Sequence, residues 1–263
     1  MLRSFLSEWV KLRRRGMLLG GGIIAGFAVV STVLTFSTAS ATPGEAQGPT
    51  GGLTLDQLAA ADGLARTLTS GATFIGVVAL ALFAISVAGE YSQGTLRNLL
   101  VRQPRRVRLL AGKVLALASF TTVALAAAAV AVTATALALA PTRDIPTSAW
   151  FTSAGWIALG SGFVNLVLAT LGWGLLGTLL ALALRSPAAA VGAGVAYALP
   201  FELVLSTAWS TSGRWLPGQL LSGLADGGSA TVPYTRAVLL LALYGLVAVT
   251  VGASMFARRD VAA

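Results

Sequence analysis

Few side chains in this chain of 263 residues could do chemistry. Histidine and cysteine are both absent. That removes the usual general base, the commonest metal ligand, thiolate nucleophiles and disulfides. Nine acidic residues remain, and one of them, Glu202, falls near the interior of an apolar stretch, two positions after Pro200. A carboxylate at the centre of a bilayer costs about 2.5–3.5 kcal/mol on insertion scales. Two readings stand for Glu202. It sits close enough to a span's end to reach the interface, or it serves a translocation path or outer gate. Acid–base catalysis resting on one such carboxylate is a weak basis for an enzyme, so the chain is expected not to be catalytic itself. Nucleotide chemistry is excluded on similar grounds. Gly112-Lys113 is followed by Val114, and Val107 stands where a phosphate loop would need its first glycine.

The elements that must position Glu202 are membrane spans. Apolar residues make up 56% of the chain and charged residues only 10%, against roughly 45–50% and about 25% in a soluble domain. So few charges cannot build a soluble surface, and lipid must be the solvent for much of the molecule. Crossing the hydrocarbon core takes about 20 apolar residues in a helix. Six stretches qualify, at about 16–38, 69–89, 114–140, 156–184, 188–207 and 237–256. Between the fourth and fifth, Arg185-Ser186-Pro187 reads as a tight turn, with Ser186 as N-cap and Pro187 at the first helical position. The first stretch is too long for a signal-peptide core and has no clear cleavage site after it, so it reads as a retained span.

Lysine and arginine in short loops set orientation. With the amino terminus inside, fourteen of these residues lie on the cytoplasmic side, and four (Arg66, Arg143, Arg214 and Arg236) lie opposite. The expected architecture is therefore one all-α integral membrane domain over residues 1–263, with six transmembrane helices and both ends in the cytoplasm. The net charge of +9 follows from these topology-setting blocks, so no nucleic-acid partner is implied. On the outer side, Thr54 and Gln57 have capping-box spacing, and Leu53 with Leu58 fits a hydrophobic staple. A short amphipathic helix lying on the outer surface is expected there. The loop with Trp209, Trp215 and Leu216 before Pro217 is expected to run along the outer leaflet. Asn165 is expected to hydrogen-bond a neighbouring helix. The GxxxG spacings Gly16/Gly20 and Gly22/Gly26 suggest close helix packing.

Two cytoplasmic segments are richer than tethers. In LRSFLSEWVKLRRR, the residues Leu2, Phe5, Leu6, Trp9 and Leu12 share one side at helical spacing, which describes an amino-terminal interfacial helix. In EYSQGTLRNLLVRQPRRVRLLAGK (Glu90 to Lys113), Gly94 breaks the chain and Thr95 restarts it as an N-cap. Leu96, Leu99 and Leu100 then form an apolar stripe flanked by Arg97 and Arg102, and Pro104 ends the helix. Exposed leucines need cover. Either the helix docks in a groove of a cytoplasmic protein, or it lies on anionic membrane lipid.

The pattern E-Y-x-x-G-T-L-R-x-L-L, with a basic P-R-R and a downstream G-K between spans two and three, resembles the permeases of bacterial type-2 ABC transporters. E-W-x-K-L-R-R-R (Glu8 to Arg15) before the first span and F-A-R-R-D-V (Phe256 to Val261) after the sixth extend the resemblance over nearly the whole chain. In that family the first cytoplasmic loop is a coupling helix that meets the ATP-binding subunit. The resemblance implies that Glu90, Gly94 and Thr95 match the signature, and that Leu96, Arg97, Leu99 and Leu100 touch the ATPase. It also implies export, a location in the bacterial cell membrane, and a second permease copy or paralogue sharing the path. Separate subunits would then bind the ATP, with no cofactor on this chain. The alternative is a secondary transporter or channel without an ATPase. Such proteins usually show several buried ionisable residues or repeat symmetry, and here Glu202 stands alone.

Overall fold

In the computed structural model, residues 9, 15–41, 52–92, 106–209, 211–229 and 232–258 are described. Among them every extended element is helical, and Ser40 with Thr54 makes only an isolated bridge. In chain order, α1 is Arg15–Thr38, α2 Leu55–Ala59, α3 Gly63–Thr69, α4 Ala72–Ser92 and α5 Arg106–Leu139. Two 3₁₀ turns, Ala140–Arg143 and Ser148–Phe151, lead into α6, Ser153–Leu184. Then come α7, Pro187–Ala196; a π-helical turn, Tyr197–Phe201; α8, Glu202–Ala208; α9, Pro217–Ala225; and α10, Tyr234–Arg258. Among the described residues, six helices are long and apolar enough to cross a membrane: α1, α4, α5, α6, the α7–α8 unit and α10. The protein is a multi-pass membrane protein.

The helices outrun the apolar stretches that announce them. α5 is already helical at Arg106, although its apolar run starts near Val114, and α10 continues to Arg258. Basic side chains end a hydrophobic run without ending a helix, because their stems can lie along apolar surface while the charge reaches water.

The core is the pair α4 and α6. Half of the residues in the apolar window of each are buried, against 11% in α10, which sits at the periphery. Small residues bring these two backbones together. A Cβ on Gly177 would overlap the carbonyl of Leu80, and one on Gly76 would overlap the indole of Trp173. With no hydrophobic drive between helices in lipid, this close packing is what holds them. The expected GxxxG contacts are only partly seen. Gly20 packs against Leu82, whereas Gly16, Gly22 and Gly26 have nothing within 4 Å of the place a Cβ would take.

One end of the bundle, where Arg108, Lys113 and Arg185 lie, is called here the basic end after the basic segments that adjoin it in the sequence. The other is closed by short helices and is called the capped end. The expected capping box is present: Gln57 N–H donates to Thr54 Oγ1 at 3.2 Å, and Thr54 N–H donates to Gln57 Oε1 at 3.0 Å. In place of one surface helix the segment forms two, α2 and α3, with an Asp62–Arg66 pair on the exposed side. Both are tucked in. Leu58 is wholly buried, and the Trp150 indole N–H donates to its carbonyl at 2.8 Å. Arg143 closes the same end by donating from its guanidinium to the carbonyls of Phe36, Ser37 and Ala39, the orphan acceptors at the end of α1.

The segment after α8 also runs inward. Its tryptophans Trp209 and Trp215 are half exposed, as interface residues should be. Beyond them α9 re-enters the bundle, with Leu220, Leu221 and Leu224 buried.

Candidate functional site

At the basic end, three segments distant in sequence converge. Glu90 stands in the last turn of α4 and Lys113 lies near the start of α5. Lys113 Nζ donates to Glu90 Oε1 at 2.7 Å, in a setting where the two side chains keep 14% and 5% of their exposure for Glu90 and Lys113 respectively. Beside this pair, the Tyr91 ring meets Phe256 of α10 edge-on at 6.4 Å. The Arg185 guanidinium lies 5.9 Å over the Tyr91 ring. Leu109 and Phe256 are buried in one cluster with Val87, Leu182 and Ala190. Trp9 packs on the neighbouring cluster of Phe83, Ala116 and Leu117.

The local chain explains this geometry. Arg185 takes the left-handed conformation (φ 55°) as it ends α6, and its N–H returns to the carbonyl of Ala181. Ser186 then caps α7 by accepting from Ala189 N–H, with Pro187 at the first helical position, as expected. Opposite charges on the facing ends of consecutive spans were the available signal for Glu90 with Lys113, and the sequence reading did not use it. Of the other expected coupling residues, Gly94, Thr95, Leu96, Arg97, Leu99 and Leu100 lie outside the described residues. So does the amino-terminal helix apart from Trp9.

Glu202 occupies a second polar site towards the capped end. Its residue is 3% exposed, so the carboxylate is covered by the protein itself. It faces the start of α9. Gly218 N–H donates to Glu202 Oε1 at 2.8 Å. The residue in the N-cap position of α9 is Leu216, whose side chain cannot cap, and Pro217 has no N–H to satisfy. A carboxylate from another helix therefore does the capping, where the helix dipole favours negative charge. Gly218 is required by the approach, because a Cβ there would overlap the carboxylate. Glu202 is placed by the π-helical turn before it. Pro200 interrupts the ordinary ladder, and Glu202 N–H bonds to the carbonyl of Tyr197, five residues back.

Two further hydrogen bonds tie α10 to this end. Tyr234 Oη donates to Asn165 Oδ1 at 2.9 Å, the interhelical bond expected of Asn165. Tyr244 Oη donates to the Trp215 carbonyl at 3.0 Å. Among the described residues, no three carboxylates gather as a metal-holding group.

The fold defines a helical multi-pass membrane protein, and at these two sites buried polar side chains join helices. Within that class, the chain belongs to the family described as "Protein of unknown function (DUF2705)", whose model matches residues 56–262. That match takes in every span from α4 onward. Comparison with curated proteins gives no match.

Proposed function

We propose that this chain is the membrane-spanning permease subunit of an ATP-driven exporter of the type-2 ABC class. It would sit in a bacterial cell membrane with both ends in the cytoplasm. A second permease, identical or paralogous, would complete the translocation path, and separate subunits would bind and hydrolyse ATP. The segment from Glu90 to Lys113 is the coupling element in this reading, with Leu96, Arg97, Leu99 and Leu100 presented to the ATPase.

One observation carries the reading. Residues from each of the three motif segments behind the resemblance lie together at the basic end: Glu90 with Lys113, Tyr91 with Phe256, and Trp9 against the Leu117 cluster. The ion pair fixes the two roots of the intervening segment to each other. A force applied to that segment would thus reach α4 and α5 together. The orientation rests on charge, since fourteen of the eighteen lysines and arginines fall in the sequence segments assigned to one side of the six spans. A secondary transporter is less well supported, because the carboxylate it would use is engaged in capping α9.

The test is association with a separate P-loop ATPase encoded next to this chain. Leu96→Asp combined with Leu100→Asp should abolish co-purification while the permease remains in the membrane. Undiminished association would overturn the docking assignment.

A further inference from the structure

A cleft of about 880 Å³ runs between α6 and α10, with α9 as its floor. It extends from Leu168 to Leu179 on α6 and from Val238 to Val251 on α10. At ~1.5 Å per residue these runs are about 17 and 20 Å long. That is close to one leaflet's share of a hydrocarbon core about 30 Å thick. The cleft is open at the side: Leu168, Val238, Leu243, Val247 and Val251 line it and are exposed. No charged residue lines it. An apolar slot of this kind does not favour water, so it suits an apolar occupant.

The capped-end mouth carries a different chemistry. Pro217 lines the cleft, and Trp215 lies just before it. The Arg236 guanidinium sits over the Trp215 ring at 4.7 Å, two residues before Val238. No carboxylate pairs with Arg236 among the described residues. A tryptophan with an arginine at the start of a span is where headgroups lie, and a guanidinium fits phosphate oxygens in a fork. An apolar slot one leaflet long, with Arg236 near its capped-end mouth and no described carboxylate paired with it, matches a phospholipid.

We propose that this cleft is a phospholipid site, with acyl chain lying between α6 and α10 and the headgroup phosphate held by Arg236. The proposal does not depend on the exporter reading.

Native mass spectrometry of the intact chain in mild detergent tests it. Phosphatidylglycerol and a diacylglycerol with the same acyl chains serve as probes. The wild-type chain should retain one phosphatidylglycerol and prefer it to diacylglycerol about tenfold, the worth of one charge-assisted hydrogen bond. Arg236→Gln should erase that preference while both probes still bind. Gly245→Phe should lose both probes, because Gly245 lines the cleft and has only Leu175 Cδ2, 4.0 Å away, near the place a Cβ would take. An unchanged preference in Arg236→Gln would overturn the headgroup assignment, whatever the folding of the phenylalanine variant. Full retention in a folded Gly245→Phe would overturn the site. Efficient cross-linking between two Gly245→Cys chains by a short bis-maleimide, clean because the chain has no other cysteine, would assign the cleft to a second copy instead.

Discussion

Glu90 and Glu202 are both withdrawn from water, and each is answered differently. Glu90 meets a full charge: Lys113, on the next helix, reaches it with a flexible ammonium. Glu202 meets dipoles: the first free N–H groups of α9, presented by a backbone that needs a glycine to come so close. The ion pair joins the roots of a segment between two spans, and either long side chain can swing away without unfolding a helix. The cap is built into the course of the chain and holds α8 and α9 as one body. The same residue type thus makes a separable joint at the basic end and a fixed one towards the capped end.

Breaking the separable joint should cost most. Lys113→Met removes the ammonium that donates to Glu90 at 2.7 Å, and removing one partner of a buried pair typically costs about 3–5 kcal/mol. Detergent-solubilised protein should show this as an earlier thermal unfolding transition. Adding Glu90→Leu to that variant should restore most of the loss, since apolar replacement of both partners is close to neutral. If the double variant is no better than the single one, the pair is not the joint described.

The fixed joint should fail by a smaller step. Glu202→Ala strands the Gly218 N–H, a loss of about 1–3 kcal/mol. Gly218→Ala should cost at least as much by pushing the carboxylate aside, and the two changes together should be less than additive. Glu202→Gln keeps an acceptor oxygen and is expected to unfold almost with the wild type. Full transport and ATPase activity in that variant would remove Glu202 from the translocation path. The gentlest perturbation is Tyr234→Phe, which deletes the bond to Asn165. Such interhelical bonds average about 0.6 kcal/mol in membranes, so a shift near the detection limit is expected.

The spans were legible in the sequence because length and apolarity are properties of one segment at a time. So were the Thr54–Gln57 box and the Ser186-Pro187 restart, since a cap and its helix are adjacent in sequence. What could not be read was every cap supplied from elsewhere. Leu216 announces no helix start, because the capping oxygen comes from Glu202, sixteen residues before Gly218. The end of α1 is closed by Arg143, more than a hundred residues away. A close contact between α4 and α6 was not legible for a related reason. Gly177 touches the Leu80 carbonyl through a spacing that the GxxxG template does not contain, while Gly22 and Gly26 fit the template and meet nothing. Between α4 and α5, Glu90 with Lys113 could have been paired from charge and position alone.

The turn between α6 and α7 has a consequence for how the molecule is made and how it moves. Only Arg185 and Ser186 separate the two helices, and two extended residues reach about 7 Å at most. The helices cannot slide past each other by more than a small fraction of their length, so a piston stroke between them is forbidden and only a pivot at the turn remains. A tether this short should also deliver the pair to the bilayer as one helical hairpin during synthesis.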